Sequence, residues 1–457
     1  MPKKKTALTI EERLQQALVS AEEQPYEVPE NWVWVRLGSL ADVKGGKRLP
    51  KGTTFSENIT KHPYIRVTDF NAIGVSLEGL KYIDEDVYEK ISRYTISSDD
   101  IYVSIAGSIG KVGIIPSCID GANLTENAAK ITNIKGINQK YLCLFLKSEF
   151  AQYQMQSATI ATTQAKLALF RIESLTFPLP PLSEQQRIVE RIEELFAKLD
   201  EAKERLQEVA DSFAVRKAGI LHKAFTGELT QQWRRENGVS DESWEEKKLG
   251  EVGVLERGRS KHRPRNDERL FGGIYPFIQT GDVANADMFI EKHSQTLSDF
   301  GMQQSKLFAK NTICITIAAN IGKVAILSYD SCFPDSVVGL TTDEKNSYKY
   351  VYYYLSTQQK ELESKAPATA QKNINLKVLN DLDIPLPSLP EQHEIVRLID
   401  DLLARERAAQ QATEQALVSI DLMKKSILAR AFRGELGTNK ASEASALELL
   451  RQVLAEN

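Results

Sequence analysis

The chain has little cysteine and no long apolar run, and each shortage excludes a class of protein. Its four cysteines form no CxxC pair and have no histidine at metal-ligand spacing, so neither a disulfide framework nor structural zinc is expected. We expect buried, reduced thiols instead. No stretch approaches the roughly 20 apolar residues of a membrane span. The basic start MPKKK is not followed by the apolar segment of a secretory signal. The sequence therefore predicts a cytoplasmic protein without a membrane segment.

The chain also lacks an excess of positive charge. It carries 58 Lys and Arg against 62 Asp and Glu, a formal net charge of -4. This balance argues weakly against a nucleic-acid partner, but such binding needs local rather than global positive charge. The length of 457 residues favours two or more domains. What matters is therefore where in those domains the lysines and arginines lie.

Catalytic signatures are missing as well. An amino-methyltransferase would show an [DNS]PP[YFW] motif beside a glycine-rich cofactor loop, and neither is present. Five scattered histidines suggest no Ser/His/Asp or Cys/His arrangement. Glu245-Glu246-Lys247 is a lone ExK, which is common by chance. We expect no catalytic residue and no metal site in this chain.

What the sequence does contain is an internal repeat. Trp32 recurs as Trp244, 212 residues later, and Ile105-Ala106-Gly107-Ser108-Ile109-Gly110-Lys111-Val112 recurs as Ile317-Ala318-Ala319-Asn320-Ile321-Gly322-Lys323-Val324 at the same shift. PLPPLSEQQ from Pro178 returns as PLPSLPEQH from Pro385, and AFTGEL returns as AFRGEL, both shifted by 207. Two copies are too few for a solenoid. The repeat predicts a pseudo-twofold molecule whose halves do related work.

The later part of each copy reads as a long helix. Ser183 and Gln186 have the spacing of a capping box. Apolar residues then recur in steps of four and three, a coiled-coil seam. The predicted packing residues are Ile188, Ile192, Leu195, Leu199, Leu206, Phe213, Ile395, Ile399, Leu402 and Ile420, with Ala202 and Val209 also on the first seam. Each helix of about 40 residues would be roughly 60 Å long. An antiparallel pair of fixed length is expected, and a plain hairpin without a spacing role is the alternative.

The earlier part of each copy reads as a mixed α/β domain. Residues 101–105 and 313–317 look like strands, and residues 139–155 and 348–363 look helical. The predicted fold class is α+β, with two pseudo-twofold-related mixed α/β domains separated by two long antiparallel coiled-coil helices. The predicted segments are an N-terminal helical extension (1–25), a first domain (26–181), a first helix (182–229), a linker (230–243), a second domain (244–388), a second helix (389–436) and a C-terminal helical tail (437–457). Thr9 and Glu12 would cap the extension, which would end near Pro25.

Three groups of polar residues are candidate phosphate or base contacts. The first is a basic, glycine-containing loop that occurs in both copies: Lys44, Lys47, Arg48 and Lys51, then Arg257, Arg259, Lys261, Arg263 and Arg265. The second is the glycine-lysine turn with Lys111 and Lys323, which does not satisfy the GxxxxGK[ST] loop of nucleotide-binding proteins. The third comprises residues whose side chains suit base edges: Arg66, Thr68, Gln164, Lys166, Gln279, Thr280, Gln371 and Lys372. Solvated loops and glycine-requiring turns are the alternatives.

These motifs together resemble those of type I restriction-modification specificity subunits over nearly the whole chain. The resemblance lies in the doubled layout, in PLPPLSEQQRIVERI and PLPSLPEQHEIV, in ILHKAFTGEL and ILARAFRGEL, and in the two Trp-Leu-Gly starts. It implies a host-defence function in which each mixed domain is a target recognition domain reading one half of a bipartite, asymmetric DNA site. The helices would set the gap and dock modification subunits. The extension of about 25 residues departs from the simplest family pattern.

The resemblance also implies a division of labour between subunits. The modification subunits would carry S-adenosylmethionine and methylate adenine, and restriction subunits would add ATP- and Mg-dependent translocation and cleavage. This chain would bind none of these cofactors and would be non-catalytic. Two alternatives stay open: a DNA methyltransferase or nuclease in its own right, and a coiled-coil scaffold that binds only proteins.

Overall fold

The fold is taken from a computed structural model that describes residues 9–71, 74–159, 165–366 and 373–456. The chain divides into two compact units. The first unit comprises residues 1–206 and 416–457, and the second comprises residues 207–415. Strands and helices mix in both, so the α+β prediction is confirmed. The C-terminal part of the chain, residues 416–457, lies in the first unit.

In its described residues, the first unit contains three sheets. A four-stranded antiparallel sheet has the order Asp42–Gly45, Ala128–Thr132, Ile101–Ser104, Val112–Gly113. A second has the order Lys81–Tyr82, Pro63–Ile65, Ala122–Leu124, Thr95–Ile96, and its central pair is parallel. Val33–Arg36 pairs with Thr176–Leu179. Apart from the two long helices, the described α-helices of the first unit are Ile10–Ala17, Glu85–Ile91, Gln139–Leu146, Glu149–Ser157, Leu169–Glu173 and Ala446–Ala455.

The second unit repeats this topology. Its first sheet has the order Gly253–Arg257, Val337–Thr342, Ile313–Thr316, Val324–Leu327, which matches the four-stranded antiparallel sheet of the first unit. A fifth strand, Phe289–Ile290, is added in parallel at the edge. The second sheet is Gln295–Leu297, Phe271–Phe277, Ser331–Cys332, Leu307–Phe308. Glu245–Lys248 pairs with Asp383–Leu386. The shorter α-helices are Gln231–Asn237, Leu249–Val252, Thr280–Asn285, Asp299–Gln303, Tyr348–Thr357, Gln359–Ser364 and Leu376–Asn380. The predicted strands are confirmed, whereas each predicted helix of the mixed domains is broken into two.

The two long helices span Leu182–Phe225 and Leu389–Ala431. They run antiparallel inside each unit. In the first unit Lys203 Nζ lies 2.8 Å from Asp421 Oδ1. In the second unit Arg216 Nε lies 2.9 Å from Glu406 Oε2. Glu406 lies four residues after Leu402, at a seam position where a charged side chain interrupts the apolar pattern, and this ion pair explains how the interruption is tolerated.

The predicted seam is only partly buried. Ile188, Ile192, Phe213, Ile395, Ile399 and Ile420 are buried, and Leu195, Leu199, Leu206 and Leu402 are half-buried. Val209 is 41 % exposed, so its place on the seam was wrong, as was that of the exposed Ala202. Burial is greatest where a helix leaves its mixed domain: Ile188 and Ile192 belong to the same core as Tyr141 and Phe177. A helix that packs only against one other helix buries less of its side-chain surface than a helix that also packs against a whole domain.

The first long helix begins one residue before the predicted cap, so Ser183 lies inside it and the capping box was wrong. The neighbouring Glu184 and Gln185 are buried instead and tie the helix to the first domain. Trp32 Nε1 donates to Glu184 Oε2 at 2.7 Å, and the Asn138 backbone N–H donates to Gln185 Oε1 at 2.7 Å. An uninterrupted helix therefore leaves the domain from a fixed, hydrogen-bonded start.

The second long helix has a matching start. Glu391 and Gln392 are buried there. Arg234 Nη1 donates to Glu391 Oε1 at 2.8 Å, and the Ser347 backbone N–H donates to Gln392 Oε1 at 2.8 Å. The repeated Glu-Gln pair is therefore an anchoring element, which sequence reasoning used only as a family signature.

The first and last described helices, Ile10–Ala17 and Ala446–Ala455, pack into the first unit. Thr9 and Glu12 form the predicted capping box, but the helix that they cap ends at Ala17 rather than near Pro25. Leu14 shares a core with Leu450, and Arg13 Nη1 donates to the Leu454 carbonyl at 3.2 Å. The two terminal helices thus cover each other, which hides apolar surface that each would expose alone.

The cysteines are all free. Cys143, Cys314 and Cys332 are buried as expected, whereas Cys118 is exposed, which corrects the expectation for that residue. Within the described ranges, no helix is both long and apolar enough to cross a membrane.

A pH dependence of stability is expected from Glu184. Burial raises the pKa of its carboxyl above the usual 4.5, against the lowering effect of hydrogen bonds from Trp32, Asn439 and Thr438. The folded state therefore holds this proton more tightly than the unfolded state, so the stabilisation is complete below about pH 4.5 and is lost as pH rises through the folded pKa. Glu184→Gln keeps an acceptor for Trp32 without the charge. Compared with Glu184→Gln, the wild type should lose stability as the pH is raised from about 4.5 towards neutrality, measured by urea unfolding at roughly unit pH steps. A constant difference across that range would contradict this assignment.

Candidate nucleic-acid interface

The two basic loops are held in the same way. Gly46 and Gly258, 212 residues apart, lie where the loop crosses a neighbouring segment. A Cβ on Gly46 would stand 2.1 Å from the Thr125 carbonyl oxygen, and one on Gly258 would stand 2.3 Å from that of Pro334. Only glycine fits so close an approach. The next backbone N–H then donates to that crossed segment in both loops, Lys47 to Leu124 and Arg259 to Phe333. The sequence repeat therefore corresponds to a repeated loop structure.

The cations of the first loop differ in their partners. Arg48 Nε lies 2.6 Å from Glu126 Oε1, and Lys44 Nζ lies 3.2 Å from Asp42 Oδ2. Although burial opposes the effect, the hydrogen bond from Arg48 lowers the pKa of Glu126. Lys47 stands over the Tyr94 ring at 5.6 Å, and Lys51 is exposed. Lys47 and Lys51 have no acidic partner within the described part of the chain. Their charge is the part of this loop that remains available to a polyanion.

The second loop shows the same division. Arg265 forms a two-pronged pair with Asp335, with nitrogen–oxygen distances of 2.7 and 2.9 Å, and Arg257 donates to the Asp335 carbonyl. Arg263 Nη1 donates to the carbonyls of Ser260 and His262. Arg259 and Lys261 are exposed, and no described carboxylate pairs with either side chain. Among the cations of this loop, Arg259 and Lys261 therefore have neither a carboxylate partner nor a side-chain hydrogen bond within the described residues.

The other predicted contact residues are partly engaged inside the protein. Arg66 is bonded to Asp69 through two nitrogens, and Lys111 Nζ donates to the Phe70 carbonyl at 3.1 Å. Gln279 Nε2 donates to Gln295 Oε1 at 2.8 Å. Thr280 begins a helix and is half-buried, while Thr68, Lys166 and Lys323 are exposed. Gln164, Gln371 and Lys372 lie outside the described residues.

The structure brings some candidates together. In the first unit a cleft of about 620 Å³ is lined by Lys47, Arg48 and Lys166, with Ile105, which follows the strand Ile101–Ser104 and precedes the glycine-lysine turn. In the second unit a smaller cleft of about 170 Å³ joins Arg259 and Arg265 with Gln279. Isolated bridges join Ala106 to Lys166 and Ala318 to Asn373, so the start of the glycine-lysine turn lies beside Lys166 in the first unit and beside Asn373 in the second. Three separate sequence signals therefore converge on one region of the first unit.

Several residues of this region were not predicted. Glu126 and Asp335 set which arginines are neutralised, and Arg269 adds a further cation bonded to Asp267. No sequence signal identifies Glu126 or Asp335, because each is more than 65 residues from its arginine. Among the described residues, no group of three or more His, Cys, Asp or Glu side chains could hold a metal ion.

The chain has two topologically equivalent mixed domains, each with an anchored basic loop, and two long antiparallel helices. This architecture is that of a two-part DNA-recognition protein. Comparison with known sequences agrees: the family described as type I restriction modification DNA specificity domain matches residues 29–211 and 241–417. The chain belongs to this family.

Named relatives and solved structures are of the same kind. The chain is 26% identical to the type I restriction enzyme EcoBI specificity subunit of Escherichia coli, covering 94% of this chain and 93% of that one. It is 24% identical to the EcoKI specificity subunit of E. coli strain K12, over 94% and 96%. The crystal structure of the HsdS subunit from Thermoanaerobacter tengcongensis is similar with a TM-score of 0.64 and 21% identity, over 90% and 99%. The fold is therefore that of specificity subunits, and the family assignment from sequence is confirmed.

Proposed function

We propose that this chain is the DNA-recognition subunit of a type I restriction-modification complex, with each mixed domain reading one half of a bipartite, asymmetric site. The observation that carries the proposal is the pair of basic loops held by equivalent glycines, Gly46 and Gly258, on domains of equal topology. Relatives that share nearly the whole length of the chain are named as specificity subunits. Two equivalent loops suit two similar contacts with the phosphates of a duplex.

The long helices would set the gap between half-sites and dock the modification subunits. They begin from the buried Glu-Gln anchors, which hold each helix to its domain. Their exposed apolar side chains are the surface available for docking: Val209, Val215, Val418, Leu422 and Met423. Such side chains on a polar helix favour a protein partner.

The chemistry would reside in the partners. Modification subunits would bring S-adenosylmethionine and methylate adenine, and restriction subunits would use ATP and Mg for translocation and cleavage. The test mixes the purified chain with labelled S-adenosylmethionine and duplex DNA, with and without modification subunits. Methyl transfer is expected only with those subunits. Transfer by the chain alone would show that it is a methyltransferase itself, and complex formation without sequence preference would show a scaffold.

The basic loop of the second unit gives a sharper prediction. Replacing Arg259, Lys261 and Arg263 by Ala should weaken DNA binding by the complex and flatten its salt dependence, because each lost phosphate contact removes about 0.9 from the slope of log affinity against log salt. Binding of labelled duplex across a series of salt concentrations measures this.

Arg265→Ala is the matched control, because Asp335 already neutralises that side chain. It should change the slope less than the triple substitution does. An unchanged slope in the triple variant would refute the assignment of this loop to phosphate contacts.

A further inference from the structure

The glycine-lysine turn of the second unit has an unusual tip. Ala319 and Asn320 both have left-handed backbones, with φ of 45° and 55°, and both are exposed. Left-handed residues other than glycine are uncommon and strained, and such strain concentrates at functional sites. In the first unit the residue that corresponds to Ala319 is Gly107, with φ of 76°, and glycine adopts this conformation without strain. The second unit therefore keeps the turn although its sequence makes the turn more costly.

The turn is held rigidly in both units. Thr316 Oγ1 donates to the Asn320 carbonyl at 2.6 Å and accepts from the Lys323 backbone N–H at 3.0 Å. Ser104 makes the same two contacts, with the Ser108 carbonyl and the Lys111 backbone N–H. The carbonyl of the residue at the tip, Ser108 or Asn320, is thus held by the same hydrogen bond in both units, although only Asn320 has a left-handed backbone.

Near each glycine-lysine turn, a second exposed residue lies beside the alanine that precedes the turn. Lys166 is bridged to Ala106, and Asn373 takes the equivalent place beside Ala318. The Leu167 N–H donates to the Ile105 carbonyl at 2.9 Å, and the Ile374 N–H donates to the Ile317 carbonyl at 3.1 Å. Across the described parts of the chain, no side-chain hydrogen bond involves the amide of Asn320 or of Asn373. Asn320 and Asn373 are both exposed near this turn, and their side-chain amides are available to hydrogen-bond with a ligand.

The two residues of the second unit, Asn320 and Asn373, differ chemically from their counterparts in the first unit, Ser108 and Lys166. An asparagine amide matches the donor and acceptor of adenine in the major groove, whereas a lysine ammonium matches the two acceptors of guanine. Resting on the proposed function, we infer that Asn320 and Asn373 read an adenine in the half-site bound by the second unit, and that Lys166 beside Ser108 reads a guanine in the half-site bound by the first. This difference would make the two half-sites unlike each other.

The test uses the complex reconstituted with its modification subunits. Mapping of methylated adenine with the wild-type chain first gives the two-part motif, and duplexes with single base-pair replacements then measure the preference at each position. Asn320→Gly combined with Asn373→Ala removes both amides, and glycine retains the left-handed backbone. We expect this variant to lose an A·T preference of about ten-fold or more at one position of one half-site. Lys166→Met should relax one G·C pair in the other half-site.

Lys323→Met is the control, because it removes a neighbouring exposed cation without removing an amide. It should weaken binding equally at all sequences. Retention of every base preference in the other two variants, or a uniform loss across all positions, would overturn the inference. A wild-type complex without a two-part motif would instead refute the proposed function itself.

Discussion

Lengthening both long helices by four residues is expected to widen the gap between the two half-sites by about one or two base pairs. Four helical residues add about 6 Å, and base pairs are spaced by roughly 3.4 Å. Suitable positions are after Leu206 and after Gln415, where the chain passes from one unit to the other and the side chains of residues 207 and 415 are exposed. Mapping of methylated adenine in cells that carry each chain measures the gap directly.

A graded series makes this prediction sharper. Seven inserted residues should widen the gap by about three base pairs, because they add roughly 10 Å. Insertion into the first helix alone is the control: it offsets the pairing of Lys203 with Asp421 and of Arg216 with Glu406, and should lower stability without giving a new gap. Methylation at the original gap in both double-insertion variants would refute the spacing role of the helices.

Replacing Arg234 by Ala is expected to destabilise the second unit by about 3–5 kcal/mol, the usual cost of breaking a buried ion pair from one side. Arg234 is 5% exposed and Glu391 is completely buried. Besides Glu391, the guanidinium donates to the Gly227 carbonyl at 2.9 Å and to Asp241 at 2.9 Å. Its loss would leave the Glu391 carboxylate buried without its cation. Urea unfolding followed by circular dichroism measures the change.

Two controls separate the buried pair from a general effect of losing arginine. Arg205→Ala removes an exposed partner of Glu201 and should cost no more than about 1 kcal/mol. Replacing Arg234 by Met and Glu391 by Leu together removes both charges and should restore much of the stability, because the carboxylate is no longer left alone. A cost under about 1 kcal/mol for Arg234→Ala would mean that water reaches Glu391.

The long helices were predictable because their signal is local. The apolar steps of four and three that predict the first long helix all lie within that helix, Leu182–Phe225. The depth of burial was not predictable. Val209 and Ile192 occupy similar seam positions, yet only Ile192 is covered, because it packs against the first domain. Coverage depends on what lies opposite, which a periodic pattern does not contain.

The candidate site was predictable as a set of loops and not as a set of available charges. The glycines and cations of the basic loops are adjacent in sequence, so their recurrence reveals the loops. The sequence does not reveal that Asp335 neutralises Arg265 while Lys261 stays exposed. That distinction depends on an aspartate 70 residues away from Arg265.

By itself, the sequence determined that this chain is duplicated, that each copy joins a mixed domain to a long helix, and that its motifs belong to specificity subunits. These properties follow from the composition, periodicity and repeats of the sequence, which require no knowledge of contacts between distant residues. Only the tertiary structure decided that the C-terminal helix belongs with the first unit, that Glu184 and Glu391 anchor the long helices, and which cations remain unpaired. The terminal packing, the two anchors and the neutralisation of Arg48 and Arg265 depend on contacts between residues more than 65 positions apart, and such contacts exist only after the chain has folded.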